Sequence, residues 1–91
     1  MSIVEKAQAG TMQSSDLMVF VEPADTLTLE IESTVLKQFG HLIRAKVEQV
    51  LAACGVTKGT IRISDRGARD YAIEARVRAA IARGQNVLGA Y

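Results

Sequence analysis

The sequence predicts an α+β fold: a three-stranded, mainly antiparallel sheet with two helices packed on one face and a flexible N-terminal arm. Two observations carry this expectation. Short segments with strand patterning, residues 17–21 (LMVFV), 26–32 (TLTLEIE) and 60–64 (TIRIS), alternate with longer stretches whose apolar residues recur at helical spacing. Pro23, Gly55, Gly67 and Gly84 fall at the joints between them, which fixes the order as strand, strand, helix, strand, helix.

Residues 1–16 hold few bulky apolar groups. Ser2-Ile3-Val4-Glu5 has the spacing of a capping box, so a short helical turn can precede Gly10. With little to bury, the segment is expected to be a loose arm, ahead of a domain over 17–84 and a tail over 85–91.

Residues 17–21 are apolar at every position, as in a strand that is central or covered on both faces. Glu22-Pro23-Ala24-Asp25 reads as a turn. In residues 26–32, Leu27, Leu29 and Ile31 face one way and Thr28, Glu30 and Glu32 the other, so the first two strands suggest an antiparallel hairpin. Ser33 or Thr34 caps a helix reaching about Cys54, with Val35, Phe39, Leu42, Ile43, Val47, Val50, Leu51 and Cys54 on one stripe. Gly55 stops it. A third strand and an Asp65-Arg66-Gly67 turn lead to a second helix over about 68–83, whose apolar side is Tyr71, Ile73, Val77, Ala80 and Ile81. The first strand is expected in the middle, giving strand order two-one-three. The alternative lays the third strand parallel beside the second, through a right-handed crossover.

Ninety-one residues make one domain, which buries only ~60–65 % of its unfolded surface and leaves little room for a deep cleft. A hydrophobic fraction of 48 % excludes disorder. No apolar run approaches the ~18 residues of a membrane span. Glu5 and Lys6 break any signal-peptide pattern, so a cytoplasmic location is expected. Cys54 is the one cysteine and His41 the one histidine. An intramolecular disulfide is impossible and a dedicated metal site is not expected.

Net charge is +1, unevenly spread. Residues 1–33 carry one lysine against six acids, and residues 34–91 carry ten bases against four acids. A basic half suits an anionic ligand or partner, although the plainer reading is solvated helix surface. Arg69, Arg76 and Arg83 recur every seven residues and can bind phosphates. Too few aromatics accompany them for a base-stacking surface, so nucleic acid is not an expected partner.

Candidate catalytic groups thin out quickly. His41 shares a helical face with Lys37 and Arg44 and reads as a solvated histidine. Cys54 lies on the apolar stripe and reads as an inert thiol. Asp65 reads as a turn or cap residue, and Glu74 as a partner for Arg78 one turn on. What remains is Gly10-Thr11-Met12-Gln13-Ser14-Ser15-Asp16, two hydroxyls beside a carboxylate. From composition it reads first as a polar loop before a strand. A functional reading makes it a modification site, with an exposed hydroxyl among small neighbours and the activation supplied by a modifying enzyme.

At this segment the chain resembles a known family. AGTMQSSD, the following LMVFVEP, the stretch IESTVLKQFGHLIRAKVEQVLAACGV and the block ISDRGARDYAIEARVRAAIAR are similar to the gamma subunits of citrate lyase, small acyl carrier proteins. The resemblance covers nearly the whole length, and KQFG and DRGARD are its most specific parts. It implies a non-catalytic carrier subunit. Ser14 falls where the family attaches phosphoribosyl dephospho-coenzyme A through a phosphodiester, with Ser15 as the alternative site. Gln13 stands where an acidic residue is frequent.

The implied partners are the citrate lyase alpha and beta subunits and the holo-carrier synthase transferase, with no membrane and no nucleic acid. The carrier would present acetyl and citryl thioesters to them as citrate is cleaved to acetate and oxaloacetate. Two other readings stand beside this one. The chain is either an unmodified interaction or regulatory module docking through its sheet, where Met18 and Phe20 (or Leu17, Val19 and Val21) share a face with Thr28, Glu30 and Arg62, or the acyl carrier of a related decarboxylase such as malonate decarboxylase.

Overall fold

The computed structural model describes residues 1–33 and 40–85. It contains β1 (Ala7–Gly10), β2 (Leu17–Glu22), β3 (Leu27–Ser33), α1 (Gly40–Ala53), β4 (Gly59–Asp65) and α2 (Asp70–Gly84). The fold is α+β, as expected, but the sheet has four strands in the order β1-β2-β4-β3. The fourth strand comes from the segment expected to be an arm. Its short A-Q-A-G pattern has no bulky residue to betray it, yet Ala7 and Ala9 pair with Val21 and Val19, and Ala9 is buried. No helical turn forms over residues 2–5. Instead Ile3 is buried, and the amides of Val4 and Glu5 both donate to Gly84 O at the end of α2 (2.9 and 3.0 Å).

Strand pairing also departs from the hairpin expectation. Strand β2 turns back on β1, not on β3, and the β2–β3 pair does not form. β4 separates them, antiparallel to β2 and parallel to β3. The parallel β3–β4 pairing matches the crossover alternative; the two-one-three order does not occur. β4 wins the interior place because Gly59, Ile61, Ile63 and Asp65 are all buried on its one inner face.

Both helices lie on that inner face. Ile43, Val47, Val50 and Leu51 of α1 and Ile73, Val77, Ala80 and Ile81 of α2 meet Leu17, Val19, Val21, Ile61 and Ile63 in one core. Helix α1 ends in a Schellman motif. Val56 N–H reaches Leu51 O and Gly55 N–H reaches Ala52 O, both at 3.0 Å, with Gly55 at φ 71°. Two residues placed on the apolar stripes are instead exposed, Leu42 and Tyr71. Thr34, Val35, Lys37, Phe39, the side chain of His41 and the tail beyond Gln85 lie outside the described residues. No helix among the described residues is long and apolar enough to cross a membrane.

The charge asymmetry is resolved inside the fold. Asp16, Glu22, Glu30 and Glu32, four of the six early acids, pair with Arg76, Arg62, Arg62 and Arg66 respectively. Three of the ten later bases, Arg62, Arg66 and Arg76, are thus paired with the acidic segment.

Candidate functional site

The polar segment singled out in the sequence is the loop of the β1–β2 hairpin, residues 11–16. Thr11 N–H closes the hairpin on Leu17 O at 3.1 Å. Gly10 makes this closure possible. Its φ is 104°, and a Cβ there would fall 1.9 Å from Leu17 O, so only glycine fits.

Within the loop, Asp16 N–H donates to Gln13 O at 3.2 Å, forming a tight turn with Ser14 and Ser15 at its two central positions. Ser15 takes φ 65°, the left-handed region that a central turn residue of this kind demands. Its N–H donates to Arg66 O at 2.8 Å. Ser14 is exposed, and its hydroxyl makes no hydrogen bond among the described residues. Ser15 is thus pinned through its backbone, while Ser14 stands at the apex with its Oγ in solvent.

Asp16 holds the loop from below. Its Oδ1 accepts from Leu17 N–H (2.8 Å) and from Arg76 Nε (3.1 Å). Its Oδ2 accepts from Thr11 Oγ1 (2.6 Å) and from Arg76 Nη2 (2.8 Å). The Arg76 guanidinium, then the Thr11 hydroxyl, hold the Asp16 carboxyl down at about 2, against the smaller opposing effect of partial burial. Thr11 Oγ1 also receives Gln13 N–H at 3.3 Å. Every polar residue of the segment except the serine pair and Gln13 therefore has its side chain committed to the loop's own shape.

A second turn supports the first. Leu17 pairs with Asp65, which brings the β4–α2 connection alongside the loop. Arg66 N–H donates to Asp16 O at 2.9 Å, reciprocating the Ser15 bond to Arg66 O. The carboxylate of Asp65 is completely buried and accepts from Gly67 N–H (3.1 Å), Ala68 N–H (3.0 Å) and Ser33 Oγ (2.8 Å). It is a turn residue; the N-cap position of α2 is Arg69, without a side-chain cap. The stretches AGTMQSSD and DRGARD thus form one structure at one end of the sheet.

Other candidates fall elsewhere. Glu74 bonds both Lys46 (3.2 Å) and Arg78 (3.1 Å), which lower its pKa in that order. Cys54 is partly buried beyond α1, at the opposite end of the sheet from Ser14. No group of metal-ligating side chains occurs among the described residues. In the sequence Arg76 is one of three arginines spaced seven apart, and nothing there ties it to Asp16.

Residues 4–84 match the family model described as the malonate decarboxylase delta subunit (MdcD) acyl carrier. A citrate lyase acyl carrier protein of Pectobacterium carotovorum is 54 % identical over 84 residues, covering 91 % of this chain and 88 % of that one. The chain belongs to the citrate lyase acyl carrier protein family. Another member, from Haemophilus influenzae, is 48 % identical over 83 residues, with 91 % and 87 % covered. These relatives are carriers, and the chain is a carrier subunit and not an enzyme. The family fold extends to one chain of a Pseudomonas malonate decarboxylase hetero-tetramer solved with malonate. That chain aligns with a TM-score of 0.79 at 20 % identity, with 91 % of this chain and 87 % of that chain covered.

Proposed function

We propose that this protein is the acyl carrier subunit of citrate lyase, bearing phosphoribosyl dephospho-coenzyme A in phosphodiester linkage on Ser14. The observation that carries this reading is the exposed Ser14 hydroxyl at the apex of a hairpin loop whose other parts are fixed by Asp16, Arg76 and Arg66. A modifying transferase needs that combination. The hydroxyl must enter a foreign active site, and the neighbouring backbone must be orderly enough to be recognised. The residues fit the group. The oxygen to be esterified is in solvent, and the adjacent carboxylate is already neutralised by Arg76, so it does not repel an incoming phosphate.

When attached, the group supplies a thiol on a long arm; the chain's own residues anchor that arm and dock the subunits it serves. Tethering turns encounters with the alpha and beta subunits into intramolecular events, which is why a carrier needs no catalytic side chains of its own. The cytoplasm is the compartment in which this exchange would take place.

Intact mass of protein from citrate-fermenting cells tests the reading. A large adduct lost in Ser14→Ala and retained in Ser15→Ala is the expected result; unmodified protein in such cells overturns it. The family model and the solved fold favour one second reading, a carrier for malonate decarboxylase. Co-purification with decarboxylase subunits in place of lyase subunits would decide for it.

A further inference from the structure

The sheet ends on β1 at one side and β3 at the other, and the same contact sits on each. Arg44 of α1 donates from Nη2 to Leu29 O of β3 at 3.0 Å. Arg83 of α2 donates from Nη1 to Gln8 O of β1 at 2.7 Å. Both arginines are exposed. Both carbonyls face away from the sheet. A strand residue turns its N–H and C=O to one side, and that side alternates along the chain. Gly59 N–H of β4 donates to Thr26 O, so Thr28, Glu30 and Glu32 turn toward β4, and Leu27, Leu29 and Ile31 turn outward. Thr11 N–H donates to Leu17 O of β2, so Gln8 likewise turns outward.

Strand β1 has only four residues, but β3 has seven and carries neither proline nor lysine, the residues that commonly blunt an edge. Leu29 and Ile31 are half-buried against the core, and Leu27 is 43 % exposed. We propose that Arg44 and Arg83 close the sheet edges against strand addition, and that the strand Arg44 keeps out is β3 of a second copy of this chain. β3 is complementary to itself. Paired antiparallel about its middle, it sets Leu29 opposite Leu29, Leu27 opposite Ile31 and Thr28 opposite Glu30. The three outward residues then exchange N–H···O bonds with their counterparts, and their side chains extend one apolar face. No like charges stand opposite one another. A two-fold axis relates the copies, so the pairing closes as a dimer. The Arg44 guanidinium lies at the centre of this pairing, where the second copy's Leu29 N–H would have to come.

The test is sedimentation of the full chain, with amide hydrogen exchange read on the same samples. Arg44→Ala should dimerise at least about tenfold more tightly than wild type, because both central hydrogen bonds become available. Alanine suits an exposed helix position. Arg44→Met, which keeps an apolar stem without the donors, should behave alike. The amides of Leu27, Leu29 and Ile31 should exchange freely in wild type and become protected in the variant dimer. Those of Thr28 and Glu30, already turned to β4, should not change. Arg69→Ala removes the same charge from an exposed residue at the start of α2 and should match wild type. Arg83→Ala should protect the Gln8 amide on association. An Arg44→Ala chain that stays monomeric wherever wild type does overturns the proposal. Association that leaves the three outward amides unprotected, or that Arg69→Ala shares equally, overturns it too. A monomeric Arg83→Ala overturns the role given to Arg83 alone.

Discussion

Asp16 and Arg76 stand sixty residues apart in sequence and meet in a two-bonded pair, Oδ1 to Nε at 3.1 Å and Oδ2 to Nη2 at 2.8 Å. The pair joins the hairpin loop to the middle of α2. Asp16 is the more buried partner, so Asp16→Ala should cost about 1–3 kcal/mol, and Arg76→Ala should also destabilise by leaving that carboxylate without its cation. Arg76→Lys keeps the charge but not the fork and should recover only part of the loss. Urea unfolding of the two single variants and the double variant measures this. A coupling energy near zero between the two sites would show that the pair is idle.

The same carboxylate makes stability depend on pH. Its folded pKa of about 2 lies below its usual 3.8, so its contribution is fully present above pH ~4 and is lost as pH falls from there toward 2. Wild-type unfolding free energy should therefore drop across that window more steeply than that of Asp16→Asn. Parallel profiles for the two proteins from pH 6 to 2 would count against the assignment.

Ser15 is in the left-handed region at φ 65°. That conformation costs a side-chain-bearing residue roughly 1–2 kcal/mol, of which glycine returns about half after its own entropy loss. Ser15→Gly should accordingly raise stability by about 0.5 kcal/mol and leave modification intact. Thermal melting read beside intact mass checks both halves. A destabilised Ser15→Gly would mean that the Ser15 hydroxyl contributes a bond to the loop.

Asp65 is the polar residue with the most to lose. Three donors converge on a carboxylate with no solvent exposure. Asp65→Ala leaves the Gly67 and Ala68 amides unsatisfied and should cost about 3 kcal/mol. Asp65→Asn should also destabilise, because one of its two acceptor oxygens becomes a donor facing an N–H or a hydroxyl. Chemical denaturation measures the losses, and the amide shifts of Ser15 and Arg66 report whether the loop slackens with the turn.

Helices and three strands were legible because their apolar residues repeat with clear periods: Ile43, Val47 and Val50 in one helix, Leu27, Leu29 and Ile31 in one strand. β1 was not legible. Two alanines on its inner face carry almost no hydrophobic signal, and its pairing comes from the hairpin geometry set by Gly10. β2 is interior, as its apolar run suggested, but β1 takes the place beside it that was expected for β3, so the two-one-three order does not occur. Of the candidate site, the loop was legible from its composition, and the resemblance pointed to Ser14 within it. The clamp was not legible, since neither periodicity nor spacing links residue 16 to residue 76.

The loop around Ser14 is built from both ends of the chain. The hairpin is complete once residue 22 has formed, but its support arrives only with Arg66 and Arg76. A nascent or truncated chain ending before α2 would hold the serine without the scaffold that shapes it. If the transferase reads that shape, loading of the arm certifies a finished molecule, and unfinished copies stay blank and cannot poison the assembly with an arm on a broken carrier.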